Sequence, residues 1–204
     1  MRIVLITVLV LFLLVNLVGA FLEPSVVVER ELVVQELDLD DEEDAARLFA
    51  LTGDFAAWEA WAPLMQVGGG EGAEVRPGES TAGVGGSTTL VFDAQYAVLL
   101  MFSECDPKDG VVVEARMGSV SDDLASGEDD FRAWDRIGWE RAAGGGTRLT
   151  WTRTGAKLPL YLLRVWDHFV VAPSVAGQLE EGLERLAEAA ASDDASSESD
   201  ASGD

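Results

Sequence analysis

The chain has little positive charge. Lysine and arginine together number 14, against 37 aspartates and glutamates, and the formal net charge is -23. Lys108 and Lys157 are the only lysines. A surface of this sign repels phosphate backbones, so nucleic acid is excluded as a partner, and anionic lipid headgroups are repelled for the same reason. An acidic, lysine-poor surface suits a salt-rich habitat, where screening removes much of the self-repulsion. A halophilic source is therefore expected.

Cysteine and histidine are nearly absent. Cys105 is alone, which excludes an intramolecular disulfide and a thiolate zinc cluster. It lies in a strand-like run, MFSEC, and reads as a small hydrophobe without a basic partner to activate it. His168 is the only histidine, so a histidine metal cluster is excluded by count. Its neighbour Asp167 is adjacent in sequence, and adjacent side chains on a helix do not face each other. No nucleophile is marked for a Ser-His-Asp arrangement. The glycine runs at 68–70 and 144–146 lack the G-x-x-x-x-G-K-[ST] pattern of a phosphate cradle. The run SDDLASGEDD does not match the EF-hand ligand spacing and reads as a solvated acidic loop. No metal, cofactor or catalytic residue is expected.

Apolar residues make up 48% of the 204 residues, enough for one domain with a real core. The longest apolar run comes first. Ile3 to Leu22 carries no charge, and its length matches the roughly 20 residues that a helix needs to cross a bilayer. It exceeds the usual signal-peptide core of about 7–15 residues, although Val18-Gly19-Ala20 is a tolerable cleavage site. The expectation is an N-terminal transmembrane anchor, or a signal peptide, over residues 1–24. Arg2 precedes the run, so the positive-inside rule places the remainder on the extracytoplasmic side of the cell membrane as a single-pass protein. At the other end, residues 192–204 have no apolar residue larger than alanine and read as a disordered acidic tail.

Between them, residues 25–191 form the domain. Val26 to Leu37 is rich in β-branched residues and reads as a first strand. Asp40 or Asp41 caps a helix that stops near Gly53, and Phe55 to Trp61 is a second helical turn ended by Pro63. Strands are predicted over Ser87–Ala94, Tyr96–Cys105, Val111–Met117, Asp130–Arg141 and Thr147–Thr154. The run DPKDG turns between two of them, a bulge is expected in Asp130–Arg141, and Gly144–Gly146 forms a hairpin loop. From Leu158 to Ala191 the spacing is helical, with Pro173 expected to kink or restart the helix. Gly182 costs helix propensity, so its expected purpose is close backbone approach to a sheet. Strand, short helices, strands and a long terminal helix make an α+β layout.

These residues resemble a known family. The strand VVVERELVV, a helix, the run D-F-x-x-W-x-x-W-x-P from Asp54, GGGTRLTW from Gly144 and LEEGLERL from Leu179 resemble the SRPBCC (START-like) superfamily, in its polyketide cyclase/dehydrase and lipid-transport branch. The resemblance implies a helix-grip fold: a seven-stranded antiparallel β-sheet around a long C-terminal α-helix, with two short helices after strand 1. It places Trp58 and Trp61 at the closed end of the sheet–helix sandwich, as core plugs or as one wall of a cavity. Members often carry a second aromatic after the proline; here Leu64 and Met65 follow.

Candidate cavity residues are the aromatics Trp58, Trp61, Tyr96, Trp134, Trp151, Trp166 and Phe169, with Arg148 and Arg153 as possible polar contacts. The expected function is a membrane-anchored, non-catalytic binding module for a small hydrophobic or lipid-like ligand. One alternative is a polyketide cyclase/hydratase-type enzyme, which would need Asp167, His168 or Glu140 inside an enclosed pocket. Another is a structural or stress-related interaction protein with a filled core. Oligomeric state is open.

Overall fold

The computed structural model describes residues 2–66, 74–92, 96–119 and 132–192, with the side chains of residues 2–6, 8 and 9 excepted. The predicted loop from Ser119 therefore lies almost wholly outside the described residues, as do the glycine run at 68–70 and the acidic tail beyond Ser192. A helix, α1 (Arg2–Phe21), leads into β1 (Val27–Val34). Three short helices follow: α2 (Glu42–Thr52), α3 (Phe55–Trp61) and the single turn α4 (Pro63–Gln66). Then come β2 (Glu74–Pro77), β3 (Ser87–Val91), β4 (Tyr96–Asp106), β5 (Gly110–Ser119), β6 (Arg132–Arg141) and β7 (Thr147–Thr154). The chain ends in α5 (Tyr161–Trp166), a π turn (Asp167–Val171) and α6 (Ala172–Ala191).

The seven strands form one antiparallel sheet in the order β1-β7-β6-β5-β4-β3-β2. The long helix α6 buries Leu179, Leu183 and Leu186 against the inner face of the sheet. This is the helix-grip arrangement. Aspartates open two of the short helices, Asp41 as one of the two caps expected and Asp54 without having been foreseen: their carboxylates accept hydrogen bonds from the backbone N–H groups of Glu43 and Ala56, both at 2.9 Å. Gly110 closes the DPKDG turn with φ +111°, a left-handed conformation, and abuts the Ile137 carbonyl.

Four expectations need correction. First, among the described residues no helix is long and apolar enough to cross a membrane. Near its end α1 packs on α5, where Gly19 meets the Tyr161 backbone. The transmembrane anchor and the single-pass cell-membrane location fall with this finding. Second, β2 was not foreseen. It is a four-residue, largely exposed edge strand ending in Pro77, which carries almost no apolar signal. Third, β6 alternates regularly, with Ala133, Asp135, Ile137 and Trp139 buried, so no bulge is needed there. The register shift lies in β4, between Phe102 and Glu104. Fourth, Pro63 ends one helix and starts another turn, because its fixed φ suits a first helical position.

Candidate ligand cavity

The inner face of the sheet divides into a sealed half and a hollow half. In the sealed half Phe55, Trp58, Trp61, Phe102 and Trp151 interlock. Phe55 stacks on Phe102 with ring centroids 4.0 Å apart, Trp58 and Trp61 are 5.0 Å apart, and Trp61 meets Trp151 edge-on at 5.6 Å. Each indole N–H of the Trp pair is satisfied within α2: Trp58 donates to the Thr52 carbonyl and Trp61 to the Leu51 carbonyl, both at 2.9 Å. Both rings are fully buried.

Towards the other end of the same strands the side chains become small. Ala115 and Ala133 are direct cross-strand partners, and Gly155 and Ala156 follow β7. With nothing large to fill it, that half holds a cavity of about 320 Å³. This lies at the lower end of the range for ligand pockets and equals the space of about ten liquid waters at ~30 Å³ each. Val98 and Leu100 of β4, Met117 of β5 and Val28 of β1 wall it on the sheet side. Leu64 of α4 closes one flank, and Val171, Ala172 and Val175 present the helix side.

The π turn aims that helix. Its i+5 hydrogen bond runs from the Ala172 N–H to the Asp167 carbonyl. Pro173, next in the chain, has no N–H to donate and would crowd the carbonyl four residues back, so an ordinary turn is disfavoured there. Asp167 and Val171 face the cavity, whereas Trp166 and Phe169 point away from it, 58% and 66% exposed.

The polar groups of the wall are few: Tyr96, Arg153 and Asp167. Arg153 is pinned by Asp135, its cross-strand partner. Nε donates to Oδ1 at 2.8 Å and Nη2 to Oδ2 at 2.6 Å, while the Trp151 indole donates to Oδ1 at 2.9 Å. Asp135 is buried beneath this fork and marks the boundary between the hollow and sealed halves. Asp167 has neither a hydrogen-bond nor an ion-pair partner among the described residues. Burial pushes its carboxyl above the usual aspartate range, and the charge of neighbouring His168 opposes that shift.

Of the seven aromatics expected at a cavity, Tyr96 lines this one. It pairs with Phe92, also on the wall, at 5.7 Å. Trp58, Trp61 and Trp151 belong to the sealed core. Trp134 is 41% exposed on the outer face, forced there by the inward positions of Ala133 and Asp135 on either side. Arg153 is on the wall; Arg148 is on the outer face, bonded to Glu140 at 2.9 Å. His168 turns its Nδ1 back to the Arg164 carbonyl at 2.9 Å and is not part of the wall. Of the three acid–base candidates, then, Asp167 alone reaches the cavity. Cys105 is half-buried against the core, and burial pushes its thiol up, as befits a packing residue. The sequence reading missed Asp135, Ala115, Ala133 and Gly155. The available signal was a row of small residues at inward strand positions, facing a helix that begins with Ala172.

No family model and no curated protein matches the chain. Solved structures do match in fold. A hypothetical protein, jhp0584, from Helicobacter pylori superposes with a TM-score of 0.54 at 12% identity, over 80% of this chain and 86% of that one. Protein CV1439 from Chromobacterium violaceum gives 0.51 at 17% identity, over 82% and 99%. An uncharacterised protein from Rhizobium leguminosarum gives 0.51 at 16%, over 81% and 94%. The likeness is one of fold, and the fold agrees with the helix-grip arrangement that the SRPBCC resemblance implied.

Proposed function

We propose that the protein is a binding module for a small, mainly apolar molecule held between the sheet and the terminal helix. The observation that carries this reading is the 320 Å³ cavity, walled by apolar side chains and set beside a core packed tightly with aromatics. Interiors are normally close-packed, so a hollow of this size next to a sealed core argues for an occupant and against the alternative of a filled structural core. The reading is non-catalytic because Arg153 is already committed to Asp135, and neither His168 nor Glu140 stands on the wall.

One observation favours a second reading. Asp167 is a lone carboxylate on an apolar wall with a raised pKa, a fit starting point for a proton acceptor in a cyclase-type enzyme.

Native mass spectrometry of the full chain, followed by organic extraction, separates the two. A near-stoichiometric bound mass that is lost in Ala133→Phe, and recovered unchanged after incubation, is expected. Recovery of a chemically altered molecule would move the assignment to the enzyme. A clean unliganded mass after exposure to a panel of small apolar molecules would overturn the binding reading.

A further inference from the structure

We propose that the occupant of this cavity carries an ammonium group, seated against Asp167, on a compact apolar body. The inference rests on the binding reading above and names the ligand class.

It follows from the charges on the wall. Among the described residues two charged side chains line the cavity, Arg153 and Asp167. The Arg153 guanidinium is neutralised by the buried Asp135 carboxylate through two short, parallel hydrogen bonds, and the Trp151 indole holds that carboxylate from the other side. An anion entering the cavity would have to compete with a bidentate partner already in place. It would also meet the Asp167 carboxylate, within a molecule whose formal net charge is -23. Asp167 is the opposite case. Its side chain has no hydrogen bond or salt bridge among the described residues, the neighbouring His168 charge acts on it from off the wall, and Gly155, Ala156, Val171 and Ala172 line the cavity with it. Gly155 stands beside the Asp167 head: a Cβ there would lie 3.8 Å from Oδ2, an ordinary contact distance. A carboxylate in such a place bears a desolvation cost that a cation would relieve and a neutral apolar molecule would not. Burial accordingly raises the Asp167 carboxyl pKa, with the neighbouring His168 charge opposing the shift.

The test is a displacement titration on the full chain, with N-phenyl-1-naphthylamine as the fluorescent occupant and three matched competitors: decylamine, decan-1-ol and decanoate. Decylamine is expected to displace the probe at concentrations at least tenfold below decan-1-ol, with decanoate weakest. In Asp167→Asn the amine and the alcohol should fall within about threefold of each other. Equal displacement by amine and alcohol in the unaltered protein would overturn the inference while leaving the binding reading intact. So would an amine preference that survives Asp167→Asn, since the general negative surface would then explain it. If neither probe nor competitor binds, or if Ala133→Phe leaves probe binding unchanged, the cavity reading itself fails and takes the inference with it.

Discussion

Gly182 of α6 lies against the indole of Trp151: a Cβ at position 182 would come within 2.5 Å of Trp151 Cζ3 and 3.1 Å of Pro63 Cδ. The ring cannot retreat. It is wedged edge-on between Trp58 and Trp61, and its N–H is tied to Asp135. The close approach expected of this glycine is therefore present, and its target is a side chain of the sheet.

Gly182→Ala tests that contact. In an exposed helix the substitution would gain about 1 kcal/mol of propensity. Here overpacking, at roughly 1–3 kcal/mol, should offset or exceed that gain and leave a net loss of up to about 2 kcal/mol. The midpoint of urea unfolding measures it. A stabilised variant would mean that the helix can move off the sheet.

Asp135 and Arg153 form a buried pair whose removal by halves should be costly. Asp135→Ala leaves a guanidinium and an indole N–H without their acceptor, with an expected loss of about 3–5 kcal/mol. Asp135→Leu combined with Arg153→Met removes both charges and should recover most of it, leaving about 1 kcal/mol for the orphaned Trp151 N–H. Denaturant unfolding of the single and double variants decides. Losses that simply add would refute a coupled pair.

Asp167 gives a pH signature. Its folded pKa lies above the unfolded value, so the native state binds the extra proton. Stability should therefore fall as pH rises from the unfolded pKa through the folded one, and the penalty persists at neutral pH. Asp167→Asn removes that penalty. The variant should melt above the unaltered protein at pH 7, and the gap should close as pH drops below the ordinary aspartate value of about 3.9. Thermal melts between pH 3 and 8 check this. A gap of constant size would show that ionisation is not its cause.

Ala133→Phe puts a ring into the hollow half of the molecule. Because the space is already present, the variant should be at least as stable as the parent, gaining up to about 2 kcal/mol from newly buried apolar area. Calorimetry compares the two. A loss of several kcal/mol would indicate that the side chains around Ala115 and Ala133 close up in solution.

Much of the fold is legible in local pattern. The β-branched alternation of TRLTWTRT puts Leu149 and Trp151 inward, Asp41 caps its helix, and the D-F-x-x-W-x-x-W run packs at the closed end of the core. These features depend on neighbours in sequence, where periodicity and propensity act directly. The candidate site was far less legible. Alternation says which face of a strand a residue occupies, but not where along that face sheet and helix stand apart. Large aromatics therefore looked like cavity walls, although they are the residues best able to close a cavity. Ala115, Ala133 and Gly155, which leave it open, carry no chemistry of their own. Asp135 acquires its role only through the β6–β7 register, which brings Arg153 and Trp151 to it. The π turn depends on Pro173 together with the packing of α6 on the sheet, and it turns Asp167 inward and Trp166 outward. The sequence alone determined most of the elements and the sign of the surface, because these follow from residue type and short-range spacing. Only the tertiary structure decided where the hollow lies and which charge on its wall is left without a partner, because both depend on contacts between residues distant in the chain.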